Sequence, residues 1–234
     1  MNRYLLHIIV SILFVNMANA QLRPIPKNLP RYDFKKIHFG FTLGINSLNF
    51  SLAKNDDFLN NDSLLTLLAS DQKGFNLGIV SNLRLGKYTD LRFIPTLVFG
   101  ERILNYRFNN QSNLSLTDKR IESTLIDFPV SLKYKSARYN NFRTYVMCGV
   151  KYSLDIASQS EIDDEGQELV KLNNHDLMIE GGFGIDFYLQ YFKFSPQIKI
   201  SHGIINILSK DKTLYTQTID NLKTNSWMIS FTFE

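Results

Sequence analysis

Apolar and polar residues alternate along eight separate segments of this chain, and strand side chains point to opposite faces in turn, so each segment reads as a strand with one greasy face. The first is Ile37-His38-Phe39-Gly40-Phe41-Thr42-Leu43-Gly44-Ile45. The second sets Phe75, Leu77, Ile79, Leu83 and Leu85 against Gly74, Asn76, Gly78, Asn82 and Arg84. The third, over 90–101, puts Leu91, Phe93, Leu97 and Phe99 on one face, although Ile94 and Val98 blur the other. Ile126 to Tyr134, Phe142 to Ile156, Leu177 to Phe187, Phe192 to Ile200 and Trp227 to Phe233 complete the set. Each matches the length of a tilted transmembrane strand, and no segment after the first twenty residues approaches the ~18–20 apolar residues of a transmembrane helix. A chain of this kind enters a membrane as strands or not at all.

Short and long connections alternate. Short turns are expected around Gly86-Lys87-Tyr88, Asn140-Asn141 and Gln190-Tyr191, and long loops over 47–72, 102–120, 157–175 and 203–224. That is the pattern of an eight-stranded antiparallel up-and-down transmembrane β-barrel, with short periplasmic turns, long external loops and both termini periplasmic. A secreted lipocalin-like barrel would show the same alternation with the apolar face turned inward. The membrane reading fits better, because the polar phase is rich in Gly, Ser, Thr and Asn and suits a narrow lumen filled by side chains. Arg84, Arg92, Arg143, Lys133, Glu180 and Asp186 are candidates to pair across that lumen. Phe93, Tyr134, Phe142, Phe187, Phe192 and Phe231 gather near the short-turn ends as an interfacial girdle would. Pro95, Pro129 and Pro196 conflict with this, since a closed barrel has no edge on which to hide a missing N–H; bulges or strand ends are expected there.

Ahead of the strands, Arg3, the apolar run Leu5 to Val15 and Ala18-Asn19-Ala20 spell a secretory signal peptide over 1–20, cleaved before Gln21. Residues 21–36, with three prolines, are expected to form an irregular periplasmic arm, and 37–234 the barrel. Without Arg3 the 26 basic side chains become 25 against 22 acidic ones, too balanced and too scattered to argue for nucleic acid. The lone Cys148 rules out an intramolecular disulfide, and no Cys/His set has metal spacing.

Catalytic and ligand motifs are similarly thin. Asp163-Asp164-Glu165-Gly166 lacks calcium-loop spacing and reads as an acidic loop tip. Gly181-Gly182-Phe183-Gly184 is followed by strand pattern, so it is not a phosphate loop. Ser201-His202 has no third partner in view and reads as a polar strand end, and Cys148 lies on the apolar phase. No catalytic, cofactor-binding or metal residue is assigned, no small-molecule substrate is implied, and the expected mode is non-enzymatic. Residues 58–68 place a helix cap before an apolar run and form a candidate docking patch or lid of one or two helical turns.

Leu29-Pro30-Arg31-Tyr32-Asp33 followed by His38 to Gly44 resembles the start of the PorT-type (SprT-type) family of Bacteroidetes. Ile126 to Lys135, Gly181 to Asp186 and Phe194 to Ile198 resemble it too, although those strand motifs are shared widely among outer-membrane barrels of that group. The resemblance implies an outer-membrane component of the type IX secretion system, surrounded by outer-membrane lipid, with other components of that system as partners and no catalytic residues. It also makes prolines at 95, 129 and 196 part of a usual pattern. A generic outer-membrane barrel unrelated to secretion is the alternative with the same fold.

Overall fold

The computed structural model describes residues 26–54, 64–110, 113–157, 172–208 and 219–234; for a few strand residues near the tips only the backbone is described. The proposed signal peptide, its cleavage site and the Asp163–Gly166 loop tip lie outside these residues. Nine strands are described: β1 (Ile37–Lys54), β2 (Leu64–Arg84), β3 (Thr89–Phe93), β4 (Thr96–Asn110), β5 (Asn113–Lys135), β6 (Phe142–Asp155), β7 (His175–Tyr188), β8 (Lys193–Gly203) and β9 (Ile219–Phe233). Apart from β3 and β4, which do not pair with each other, consecutive strands pair antiparallel, and β9 pairs back onto β1, so the sheet closes. β3 and β4 are the two halves of one wall strand, since both lie between β2 and β5. The fold is the eight-stranded up-and-down barrel that the alternation implied.

Proline causes the break between the halves without shifting any register. Ser81 faces Phe93 and Gly78 faces Thr96 on one side, while Val130 and Asp127 face the same two residues on the other. In an antiparallel ladder a residue's N–H and C=O point to the same neighbour. Pro129 accepts from Ile94 N through its carbonyl at 3.4 Å, so its missing N–H is missing opposite Ile94 O. The Thr96 hydroxyl donates to Ile94 O at 2.7 Å instead. Around Pro196 the β7–β8 ladder skips from Gly184↔Gln197 to Phe187↔Phe194, and Ser195 Oγ donates to Asp186 Oδ1 at 2.7 Å across the gap. Pro95 falls at a strand end, between β3 and β4, and at Pro129 a neighbouring hydroxyl takes over the lost hydrogen bond.

The faces are assigned unambiguously. Ile79 is 66% exposed and Phe39 70%, with Val150, Ile198 and Ile200 also bare, whereas Arg92, Lys133, Asp186 and Ser195 are fully buried. The greasy face points out and the polar face in, which is the reverse of a lipocalin. Aromatic rings crowd the short-turn end of the outer face, including Phe41 against Phe233 at 5.0 Å and Phe194 against Phe231 at 6.0 Å.

Two connections differ from expectation. Strand pairing runs through most of 47–72 and 102–120, with β1 continuing to Lys54, β2 starting at Leu64 and only two residues between β4 and β5. Residues 64–68 of the expected helical turn are therefore strand, and 58–63 lie outside the described residues. The reason is visible in the ladders: Leu68 faces Asn105, whose partner on the far side is Asp118, so an in-register neighbour supplies the hydrogen bonds that a lone helical turn would lack. β2 and β5 reach 21 and 23 residues, about twice what a tilted strand needs to cross a bilayer, while β8 has 11.

Candidate functional site

The lumen is the only place where this chain concentrates chemistry among the described residues, and its polar residues come from the inward phase of every strand. Nearest the short turns, Asp186 of β7 accepts from Lys133 of β5 at 2.8 Å and from Arg143 of β6 at 3.2 Å, in addition to Ser195. Lys133 also sits 3.5 Å from the centre of the Tyr145 ring, and Tyr145 fits because its neighbour Gly184 has no side chain: a Cβ there would lie 2.4 Å from the phenol. Glu234 is bound by Arg92 and, at 2.8 Å, by Lys193. Lys135 pairs with Asp90 at 2.5 Å, and Asn82 donates to the same carboxylate at 3.1 Å. Each acid meets bases from other strands, so burying the charges also staples the wall together.

The segment before β1 closes this end. A short 3-10 turn over Tyr32–Phe34 drops Tyr32 into the mouth, where its ring stacks on His38 at 4.0 Å and its hydroxyl donates to Glu234 at 2.8 Å. Asp33 pairs with Arg143 at 2.9 Å. Asn28 receives the Arg138 guanidinium on its carbonyl and donates from its side chain to Tyr188 O at 2.9 Å. Burial and then the adjacent Glu234 carboxylate hold the Tyr32 phenol well above its ordinary range, so it remains a donor. At Glu234 burial pushes the carboxyl up, but Lys193 and Arg92 outweigh it and hold the group below the usual carboxylate range. The arm was expected as an irregular extension; from Asn28 to Asp33 it is a plug.

Midway up, Ser131 and Lys199 (3.6 Å) attend Glu180, and Ser153 and Lys151 (3.0 Å) attend Asp127. Higher still the lumen turns apolar around Leu48, Val98, Leu125 and Met228. Val98, which blurred the third segment, belongs to this inner plug. Arg102 lies above it, 3.2 Å from Asp155 and 4.7 Å over the Phe50 ring, and Ile207 and Leu172 cover the top. A small cavity of about 10 Å³ lies here.

Of the six lumen charges read from sequence, Arg92, Lys133, Arg143, Glu180 and Asp186 pair as expected, with Glu234, Asp33 and Lys199 as the partners that reading left out. Arg84 does not pair across the lumen: it is half-exposed and donates to Gly86 O at 3.1 Å, because the strand ends there and its side chain folds over the turn. Glu234 was legible as the next residue in the Ser226, Met228, Ser230, Thr232 phase. Asp33 had no such signal, since it lies outside any alternating segment. Ser201 and His202 point to opposite faces, the former buried and the latter exposed and bonded to Asn225 at 2.5 Å. Cys148 is exposed on the outer face.

A family model described as outer membrane protein beta-barrel domain matches residues 19–209. Among solved structures the chain is similar to the outer membrane protein OprG of Pseudomonas aeruginosa, at 14% identity and TM-score 0.47 over 84% of this chain and 92% of that one. It is similar also to neisserial surface protein A, at 12% and 0.43 over 85% and 98%. Ail of Yersinia pestis, solved with the heparin analogue sucrose octasulfate, shows 13% and 0.35 over 85% and 99%. No curated protein matches the sequence.

Proposed function

The chain belongs to the outer membrane protein beta-barrel domain family, and from that premise we propose that it serves type IX protein secretion as a PorT-type component, binding partner proteins without catalysis. The observation that carries this is the double role of one stretch. Leu29 to Asp33 with His38 holds the PorT-like residues, and the same residues close the short-turn mouth. A lumen packed with paired charges and shut by its own arm is poorly suited to passing solutes, which leaves surfaces as the working parts. The short-turn end with both chain ends then faces the periplasm.

The plug narrows which arm residues are free to meet a partner. Tyr32 and Asp33 are committed to the barrel, while Phe34 is 81% exposed beside bare Lys35 and Lys36. An aromatic flanked by two cations on the periplasmic rim is the surface expected to engage other secretion components. A deletion strain should retain secreted cargo in the periplasm, and the wild-type gene should restore export. The same gene carrying Phe34→Ser and Lys35→Glu should fail to restore it while giving a heat-modifiable, folded barrel on gels. Normal secretion by the deletion strain would instead favour a barrel unrelated to export.

A further inference from the structure

Among the described residues, the upper lumen holds one carboxylate with no ion pair of its own. Asp176, near the start of β7, is only 7% exposed, and neither carboxylate oxygen has a hydrogen-bond partner within 3.5 Å; the Thr224 hydroxyl, Lys151 and Arg102 are near enough to act on it but none is paired with it. It lines the small cavity together with Ser153, Asp155, Arg102, Asn174 and Thr224. Arg102 is already spent on Asp155, Ser123 and Thr224, and Lys151 on Asp127. Counting Arg102 against Asp155 and Asp176 leaves the cavity with one negative charge in excess. Every other inward carboxylate named above is paired with a cation.

We infer that this cavity binds one small monovalent cation, of sodium or ammonium size, held by Asp176 with Asp155 and the neighbouring hydroxyl and amide oxygens. The space admits one water-sized occupant. A water there would complete hydrogen bonds yet leave a buried carboxylate uncompensated, which is costly away from solvent. A divalent ion fits less well, because two carboxylates beside one guanidinium leave an excess of a single negative charge. Hard oxygen donors suit an alkali cation or an ammonium group. The site also adds a fastening, since Asp176 is on β7, Asp155 on β6 and Thr224 on β9.

Thermal midpoints of the barrel in a non-ionic detergent test this, in sodium, ammonium or N-methylglucamine chloride at one ionic strength. Sodium or ammonium should raise the midpoint saturably, by about 2–4 °C once the salt is several-fold above its dissociation constant, and N-methylglucamine should not. Asp176→Asn should abolish the difference. As a readout independent of folding, sodium-23 line broadening by the wild-type barrel should be reversed by ammonium and left alone by N-methylglucamine. Identical midpoints in all three salts, absence of broadening, or an Asp176→Asn barrel that keeps the cation response would each overturn the site.

Discussion

The two ends of this barrel solve the problem of a polar interior differently. At the short-turn end, acids and bases from different strands interlock: Asp186 alone gathers Lys133, Arg143 and Ser195, and the arm adds Tyr32 and Asp33 to the set. At the far end, an apolar cluster of Leu48, Val98, Leu125 and Met228 fills the lumen, and above it Arg102 pairs with Asp155 while Asp176 has no hydrogen-bond partner. The wall differs too. β2, β4 and β5 outrun β6, β7 and β8 beyond the rim away from the short turns. Rigidity is concentrated where charges are shared among strands, and the end with spare capacity is where pairing partners run out.

The largest effect should come from breaking the lower network at its centre. Asp186→Asn leaves Lys133 buried without its carboxylate, and unfolding by urea in detergent should show a loss of about 3–5 kcal/mol. A smaller loss than that from a matching Asp155→Asn change would reverse the ranking of the two ends. Next is the outer face, where Ile79→Arg should cost about 2–4 kcal/mol in a bilayer folding assay. Tolerance of that arginine would mean that the exposed belt does not meet lipid.

Acid should probe the same end more gently. Glu234 is held below its ordinary range when folded, so its contribution is complete above about pH 4.3 and fades as pH falls through the lower folded value. Between pH 5 and pH 3 that is about 1–2 kcal/mol for this group, and Glu234→Gln should flatten the wild-type curve by that amount. The smallest change is expected at the edge of the plug. Asp33 is about a third exposed (32%) and Arg143 keeps Asp186, so Asp33→Asn should cost about 1 kcal/mol or less. A loss matching that of Asp186→Asn would show the arm to be as structural as the wall.

Strand identity, their number and the split between an oily outside and a polar inside were all readable from alternate residues, because a pleated strand gives each residue one of two faces. Even the inward placement of Lys133 and Asp186 follows from their phase. What alternation cannot carry is how far pairing extends once a strand leaves the bilayer. Residues 102–120 look like loop because the oily phase fades, yet backbone hydrogen bonds to an in-register neighbour keep 102–110 and 113–120 extended. The turn expected over 58–68 met the same competition at 64–68.

The amino-acid sequence by itself determined a closed eight-stranded wall with greasy exterior and charged interior, since periodicity is local and survives without knowledge of neighbours. Only the tertiary structure decided that Asn28, Tyr32 and Asp33 seal one mouth, that Thr96 and Ser195 bridge the gaps left at Pro129 and Pro196, and that Asp176 is buried with no hydrogen-bond partner among the described residues. Those outcomes depend on which side chains from distant strands come within about 3 Å of one another, and hydrogen bonds and ion pairs fall off steeply beyond that distance.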